Sequence, residues 1–157
     1  MALNPQDLVI RPARADDLPQ IVAIFAQDEL GGHGDTTDAA AAGAYLQAFE
    51  AIEASPNDRL YVAELDGEVA GTFQTTLITS LTGRGATNMT IEAVQTRPDL
   101  RGRGIGAAMI RFAIERAREA GVRQVQLTSN AARVDAHRFY ERLGFSKSHV
   151  GFKMKLR

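Results

Sequence analysis

A glycine-rich stretch in the last third of the chain carries the most recognisable chemistry. It reads Arg101-Gly102-Arg103-Gly104-Ile105-Gly106 and leads into a helical pattern over residues 104–120. Glycines allow the backbone to approach a ligand closely, and the first turn of a helix presents unpaired N–H groups at the positive end of its dipole. The two arginines add cationic donors that bind phosphate oxygens. The stretch therefore predicts a site for a ligand that contains a pyrophosphate group.

The same glycines also fit the G-x-G-x-x-G/A spacing of dinucleotide-binding folds, with Ala107 in the last position. In those folds the glycine turn directly follows its strand, and a carboxylate ends the next strand. Here a charged segment containing Pro98 separates the strand from the glycines, and the next strand ends in Thr128-Ser129-Asn130. The chain also contains no G-x-x-x-x-G-K-[ST] stretch. Both of these nucleotide-binding folds are therefore disfavoured.

The rest of the chain predicts one α/β domain, residues 1–157, that positions the glycine-rich stretch. A strand over residues 8–10 precedes two helical patterns, and Asp66-Gly67 marks the two-residue turn of a hairpin over 60–77. A third long strand covers 87–96, and after the 104–120 helix a strand covers 125–129. A short helix then presents Phe139 and Tyr140 on its apolar face, and a last strand covers 152–156. The element order is βααβββαβαβ.

Composition places the chain among ordinary globular proteins, with 45% apolar and 24% charged residues. No apolar run approaches the roughly 18 residues that a membrane span needs, and the first residues lack the pattern of a secretory leader. The chain has no cysteine, its three histidines are scattered, and no HExxH spacing occurs. We therefore expect a cytoplasmic protein without a metal site and without membrane partners.

Charge is distributed unevenly along the chain. Residues 1–96 carry 4 basic and 14 acidic side chains, a balance of −10, whereas residues 97–157 carry 14 basic and 5 acidic ones, a balance of +9. One interpretation is that both halves are simply solvated and pair with each other. The other is that a basic half binds an anionic cofactor beside an acidic half that attracts a cationic substrate. No basic run with interleaved aromatic residues occurs, so we do not expect a nucleic-acid partner.

The chain resembles the GNAT superfamily of N-acetyltransferases. In its motif A, an Arg or Gln, two residues, Gly, one residue, then Gly or Ala precede a long helix, and Arg101-x-x-Gly104-x-Gly106 matches every fixed position. The stretch Phe139-Tyr140-Glu141-Arg142-Leu143-Gly144-Phe145 follows at the right distance. The segment from Leu127 to Tyr140 is similar to the aminoalkylphosphonate N-acetyltransferase branch. The resemblance implies a single mixed, mostly antiparallel sheet flanked by helices, and acetyl-CoA as co-substrate.

The resemblance also implies roles for individual residues. Glu92 corresponds to a carboxylate that acts as base toward the amine, directly or through water, and Tyr140 to the acid that protonates the departing thiolate. The strand before motif A bulges and splays from its neighbour, and the pantetheine arm fills the gap. The implied cofactor contacts are Val94, Gln95, Thr96, Arg101, Gly102, Arg103, Gly104, Ile105 and Gly106. Many members carry an Asn where this chain has Arg133, so Asn130 is the candidate for that contact.

The acceptor pocket of the family lies between the first two helices, where this chain carries Asp28, Glu29 and His33. These residues are candidates for binding an amine, and an ordinary solvated loop is the alternative. Few basic residues precede position 84, which favours a polyamine, amino sugar or amino acid derivative over a phosphonate. The expected function is thus acetylation of a small-molecule primary amine. A non-catalytic acyl-CoA sensor and a protein or peptide acceptor are the alternatives, and a homodimer is compatible with the family.

Overall fold

The computed structural model describes residues 3–4 and 7–157, and a five-stranded sheet forms the centre of this part of the chain. Neighbouring strands follow the chain order, and the first three pairs are antiparallel while the last pair is parallel. The expected mixed, mostly antiparallel sheet is therefore confirmed. Its strands are β1 (Leu8–Pro12), β2 (Asp58–Leu65), β3 (Glu68–Thr79), β4 (Thr87–Thr96) and β5 (Gln124–Gln126).

Helices connect and cover these strands in the predicted order. Two of them, α1 and α2, lie between β1 and β2, and α4 and α5 flank β5 in the chain. A single turn, α3, joins β3 to β4, and three of its four residues have positive φ. The helices are α1 (Leu18–Ala26), α2 (Ala42–Ala54), α3 (Thr82–Gly85), α4 (Ile105–Glu119) and α5 (Val134–Arg142). None of the helices in the described residues combines the length and the hydropathy that crossing a bilayer requires.

The hairpin between β2 and β3 confirms the turn that the sequence predicts. Asp66 and Gly67 have φ values of 51° and 80°, and Leu65 pairs with Glu68 across the turn. Both central residues thus occupy the left-handed region, which matches the right-handed twist of the two strands. This short connection fixes the register of the two long central strands.

The core lies between α4 and the sheet. Ile105, Met109 and Ile110 of α4 are at most 1% exposed, and they pack in one cluster with Phe73 of β3. A Cβ atom at Gly71 would lie 2.9 Å from the sulfur of Met109, so the glycine allows α4 to approach β3 closely. This packing fixes the start of α4 relative to the neighbouring end of β4.

The predicted last strand over residues 152–156 is wrong for this structure. Residues 146–157 follow the final described helix without joining the sheet. Their alternating apolar side chains are 79–93% exposed, at Val150, Phe152 and, further along, Met154 and Leu156. Alternation gives a segment the character of a strand, but a strand forms only when an edge pairs with it. The observed order of the described elements, apart from the turn α3, is βααβββαβα.

Candidate functional site

A gap opens in the sheet between β4 and β5. The two strands pair at three positions, from Asn88 with Gln124 to Thr90 with Gln126. Beyond Thr90, β4 continues to Thr96 beside β3 alone. Ala93 has a φ of 52°, and the register of β3 with β4 shifts at this point, which identifies a β-bulge. A bulge bends its strand, and beyond it residues 94–96 have no strand partner on the side of β5.

The glycine-rich stretch lies at the start of α4 and has the conformation that its glycines permit. Gly102 and Gly104 have φ values of 77° and 87°, and a Cβ atom on either would have no neighbour within 4 Å. Gly104 is the N-cap residue, and no side chain caps the helix. No side chain therefore occupies the capping position of the first-turn N–H groups, and the space beside the two glycines is open. Arg101 and Arg103 beside them are exposed and form no ion pair with another described residue. This arrangement fits a phosphate ligand.

Gly106 is the point at which three elements of the site meet. A Cβ atom there would lie 3.4 Å from Cζ of Phe139 on α5 and 3.8 Å from Oγ1 of Thr96 on β4. The start of α4, the end of β4 and the apolar face of α5 are therefore in contact. The structure therefore brings the helix that carries Tyr140, through Phe139, next to the glycine-rich stretch.

Tyr140 lies half-buried among aromatic rings. Its ring centroid is 5.1 Å from that of Phe139 and 5.9 Å from that of Phe145, both in edge-to-face geometry. Burial raises the pKa of the Tyr140 phenol above its ordinary value, and the positive charge of Arg133 opposes this rise in part. The hydroxyl forms no hydrogen bond to another described residue. The phenol is therefore protonated at neutral pH and free to donate its proton to a ligand.

Glu92 lies next to the bulge on β4. It is exposed, it pairs across the sheet with Gln74, and no arginine of the described chain forms an ion pair with it. The exposed position agrees with a base that works through solvent, and also with a carboxylate on a solvated face. Its role as the base stays a prediction.

A polar cluster around Asp28 joins three elements that surround the gap. The Asp28 carboxylate accepts hydrogen bonds from Nε2 of Gln95 at 2.8 Å and from the guanidinium of Arg133 at 2.7 Å. The backbone N–H of Gly31 donates to it as well, at 3.2 Å. The side chain of Asp28 is 11% exposed and that of Arg133 is 28% exposed. The loop after α1 is thus fastened to β4 and to the residue that precedes α5.

Sequence reasoning missed this cluster. It assigned Asp28 to the acceptor and Gln95 to the cofactor, and it treated Arg133 as a departure from the family pattern. Asp28 lies 67 positions from Gln95 and 105 from Arg133. No local pattern connects residues at such separations. The one signal in the sequence was that Arg133 stands where many members of the family carry an asparagine. This marked the position as unusual but did not indicate the partner of Arg133.

The other two acceptor candidates lie outside this cluster. Glu29 and His33 are exposed, and no hydrogen bond to a described residue holds either of them. Further along the same loop, Asp35 accepts a hydrogen bond from the hydroxyl of Tyr45 at 2.7 Å. Burial, together with this bond, raises the pKa of Tyr45. The loop is therefore organised by Asp28 and Asp35, and a contact of Glu29 or His33 with an amine stays a prediction.

Asn130 shapes the segment that leads into α5. Its Oδ1 accepts a hydrogen bond from the N–H of Ala132 at 2.9 Å, and its carbonyl oxygen lies 2.8 Å from Nε2 of His137. The residue is exposed. Its side-chain NH₂ has no partner among the described residues, so the predicted contact with a cofactor is sterically open and stays a prediction.

The described surface includes the following two cavities. One of about 600 Å³ is found between the end of α1 and the segment before the glycine-rich stretch, and its lining residues are Gln27, Glu68, Arg97, Pro98 and Asp99. The other, of about 440 Å³, lies beside Leu77, Thr87 and Arg123, and none of the predicted site residues lines it. The first cavity thus borders the candidate site. Within the described residues, no group of three or more His, Cys, Asp or Glu side chains could hold a metal ion.

Comparison with known protein families indicates which family the chain belongs to. The family model described as "Acetyltransferase (GNAT) family" matches residues 19–145. This range includes the bulged strand, the glycine-rich stretch and the helix that carries Tyr140.

Individual relatives agree with that match. The aminoalkylphosphonate N-acetyltransferase of Salmonella typhimurium is 34% identical over 113 residues, which cover 72% of this chain and 73% of the relative. A crystal structure of a transcriptional regulator from Bacillus halodurans is 41% identical, with a TM-score of 0.91 over 95% of this chain and 99% of that chain. An acetyltransferase from Clostridium acetobutylicum, solved with acetyl-CoA, is 18% identical and shares the fold, with a TM-score of 0.72 over 95% and 96% of the two chains.

Proposed function

Because this chain belongs to the GNAT acetyltransferase family, we propose that it transfers the acetyl group of acetyl-CoA to a primary amine of a small molecule. The observation that carries this proposal is the meeting of three elements at Gly106. The glycine-rich start of α4, the end of the bulged strand β4 and the helix of Tyr140 come within about 4 Å of that residue. This proximity supports a phosphate site, a gap for an extended arm and a proton donor that act on one ligand.

The fit of acetyl-CoA to these elements rests on chain geometry. The uncapped start of α4, with the left-handed Gly102 and Gly104, would hold the pyrophosphate through backbone N–H groups. Arg101 and Arg103 would add charge-assisted contacts. The backbone of residues 94–96, which β5 leaves unpaired, would bind the pantetheine arm by strand-like hydrogen bonds. The thioester would then lie at the bulge, between Glu92 and Tyr140.

The reaction forms a bond between the amine nitrogen and the acetyl carbon and breaks the bond between that carbon and sulfur. The amine must first lose a proton, because an alkylammonium ion has no lone pair for the attack. The pKa of such an ion is about 10. Glu92 accepts this proton, directly or through water, from the exposed side of β4. Tyr140 donates its phenolic proton to the departing thiolate. Such proton transfers contribute about 10²–10⁴-fold to a rate.

The environment of Tyr140 supports the acid role. Burial keeps the phenol protonated beyond the ordinary tyrosine range, so the donor form persists throughout the pH range in which amines become neutral. The charge of Arg133 stabilises the phenolate that remains after the transfer. Burial thus keeps the hydroxyl protonated, and the charge of Arg133 lowers the cost of forming its anion.

The Asp28 cluster bears on the nature of the acceptor. Because Arg133 and Gln95 already satisfy the Asp28 carboxylate, this residue is a weaker anchor for an ammonium group than the sequence suggested. Among the described residues, Arg133 donates to Asp28 through Nη2, and its remaining guanidinium N–H groups would bind an anionic group of the substrate. An amine that also carries an anionic group, such as an amino acid derivative or an aminoalkylphosphonate, fits this arrangement. The Salmonella relative carries the latter substrate class in its name.

Thiol release from acetyl-CoA tests the proposal. The chain has no cysteine, so the protein itself contributes no thiol background. The panel comprises polyamines, aminoglycosides, amino acids and aminoalkylphosphonates, each with a mass-spectrometric assay for the acetylated product. Release together with product for one amine class supports the proposal and identifies the acceptor. Tight acetyl-CoA binding without release for any amine would favour a non-catalytic sensor, and acetylation of peptides alone would favour a macromolecular acceptor.

A further inference from the structure

The cavity beside Arg123 lies at the opposite end of the sheet from the candidate acetyl-CoA site. Its volume of about 440 Å³ is within the size range of small-molecule sites. It is found where β4 begins at Thr87 and where α4 has ended at Gly121. The gap and the glycine-rich stretch lie at the other ends of these two elements. A ligand in this cavity would therefore leave the candidate acetyl-CoA site free.

Arg123 gives this cavity its charge. Among the described residues that line the cavity, it is the one with a charged side chain, and none carries a carboxylate. Its guanidinium forms neither an ion pair nor a hydrogen bond with another described residue. The N–H donors of the guanidinium are thus available to a ligand, and their planar arrangement matches a carboxylate.

The turn α3 is shaped to admit this guanidinium. Gly83, Arg84 and Gly85 have φ values of 65°, 63° and 75°. A Cβ atom at Gly83 would lie 2.0 Å from Nη1 of Arg123, so any other residue there would displace the guanidinium. The left-handed region is unfavourable for the non-glycine Arg84, and such strained residues cluster where a backbone surrounds a ligand. The turn therefore holds Arg123 at the rim of the cavity.

The backbone around the cavity distinguishes it from a phosphate site. The N–H groups of five lining residues already donate to carbonyl oxygens of the chain, namely those of Gly85, Ala86, Gly121, Val122 and Arg123. The helix end at the cavity is the C-terminal end of α4, whose partial negative charge disfavours a dianion. One guanidinium without free backbone donors therefore favours a ligand with a single negative charge.

We propose that this cavity binds a small organic carboxylate, with the carboxylate on Arg123 and an apolar body between Leu77 and Val122. Both apolar side chains are half-buried and line the cavity. The hydroxyls of Thr79 and Thr87 lie 2.7 Å apart and share one hydrogen bond, so the second hydroxyl proton can be donated to the ligand. The site holds whichever amine the protein acetylates.

Nuclear magnetic resonance of the ¹⁵N-labelled protein tests the proposal, with sodium benzoate as the probe. We expect saturable shifts at the backbone amides of residues 85–87 and 121–123. Benzoate should bind about tenfold more tightly than acetate or inorganic phosphate, because its ring is removed from water in the cavity. Equal binding of the three anions, or no saturable shift at these amides, overturns the proposal.

Two variants separate a cavity from an exposed charge. Arg123→Gln should raise the Kd for benzoate about tenfold, and the fold should persist because the side chain is exposed. Ala120→Leu keeps the charge and fills part of the cavity, so it should weaken benzoate binding as well. Arg118→Gln is the matched control, since Arg118 is exposed in the last turn of α4 and does not line the cavity. Undiminished binding by either of the first two variants overturns the proposal.

Discussion

The carboxylate of Asp28 lies 2.7 Å from the guanidinium of Arg133, although 105 positions separate the two residues. The same carboxylate accepts a hydrogen bond from Gln95, on the strand that borders the gap. One side chain thus connects the loop after α1, the strand β4 and the start of the helix that carries Tyr140. Because the pair is largely shielded from solvent, removal of one partner should cost more than in an exposed ion pair, since the other charge is left uncompensated.

Breaking this pair should weaken amine binding more than acetyl-CoA binding. Asp28→Asn and Arg133→Gln each release the acceptor loop, so we expect KM for the amine to rise about tenfold in either variant, with a smaller change in KM for acetyl-CoA. The double variant should be little worse than each single one, with a coupling energy of about 1–2 kcal/mol, since both changes remove one interaction. Steady-state kinetics on the four proteins measure this cycle.

Asp38→Asn is the control for the cycle, because it removes an equal charge from an exposed position in the same loop. It should leave both KM values near those of the unaltered protein. Strictly additive effects of the Asp28 and Arg133 substitutions would show that the ion pair does not organise the site.

The left-handed conformation at Gly104 should be required for acetyl-CoA binding. Alanine at a φ of 87° is strained, by an amount on the order of 1 kcal/mol. Gly104→Ala therefore shifts the start of α4, and we expect the Kd for acetyl-CoA to rise about tenfold in isothermal titration. Gly43→Ala is the control, because Gly43 lies in α2 with open space around its Cβ position and an ordinary helical conformation. Equal Kd values for the two variants would argue against the glycine-rich stretch as the phosphate site.

Removal of the Glu92 carboxylate should slow acetyl transfer without weakening acetyl-CoA binding. Glu92→Gln keeps the size of the side chain and removes its capacity to accept the amine proton. We expect kcat to fall about 100-fold, at the lower end of the range for general bases, with an unchanged Kd for acetyl-CoA. Glu50→Gln, on the exposed face of α2, should retain full activity. A kcat within twofold of the unaltered value would assign Glu92 to the solvated surface.

Folding stability should depend on the pair Arg11–Asp17 in a defined acidic range. The guanidinium of Arg11 donates two hydrogen bonds to Asp17, at 2.8 and 2.9 Å, and the N–H of Arg14 adds a third. The hydrogen bonds from Arg11 lower the pKa of Asp17 below its ordinary 3.8, although burial opposes them. The folded state thus binds this proton less tightly than the unfolded chain. The contribution of Asp17 to the free energy of unfolding is complete when the pH is above the ordinary pKa of this carboxyl. It is lost as the pH falls through the lower pKa that Asp17 has in the folded state.

Asp17→Asn should accordingly reduce the free energy of unfolding by about 3 kcal/mol at pH 7. The difference from the unaltered protein should shrink as the pH falls below about 4. Urea unfolding at several pH values measures both quantities. Asp16→Asn, at the exposed neighbouring position, should change stability little. A difference that stays constant down to pH 2 would show that the charge of Asp17 is not the cause.

The sequence predicted those parts of the structure that local chemistry determines. Asp66-Gly67 requires positive φ at both positions, and Gly104 permits the left-handed N-cap that begins α4. The strand predicted over residues 87–96 has the observed bounds. In these cases the residues that specify the feature are adjacent or lie within one turn of each other.

The remaining features depend on contacts that no local pattern encodes. The contact between Asp28 and Arg133 depends on how two loops meet after the sheet has formed. The segment containing Phe152 has the alternation of a strand, but pairing requires an edge, and the described domain does not pair with it. The resemblance supplied Glu92 and Tyr140 as candidates. Only the packing at Gly106 shows that the helix of Tyr140 reaches the glycine-rich stretch.

The most direct test of the mechanism is the comparison of Tyr140→Phe with the unaltered protein at saturating acetyl-CoA and amine. The substitution removes the hydroxyl and keeps the ring that packs on Phe139 and Phe145. Tyr61→Phe, in the core, is the matched control. We predict that Tyr140→Phe lowers kcat by about 10²–10³-fold while the Kd for acetyl-CoA and the melting temperature stay unchanged. Unchanged turnover in this variant would contradict the assignment of Tyr140 as the acid that protonates the departing thiolate.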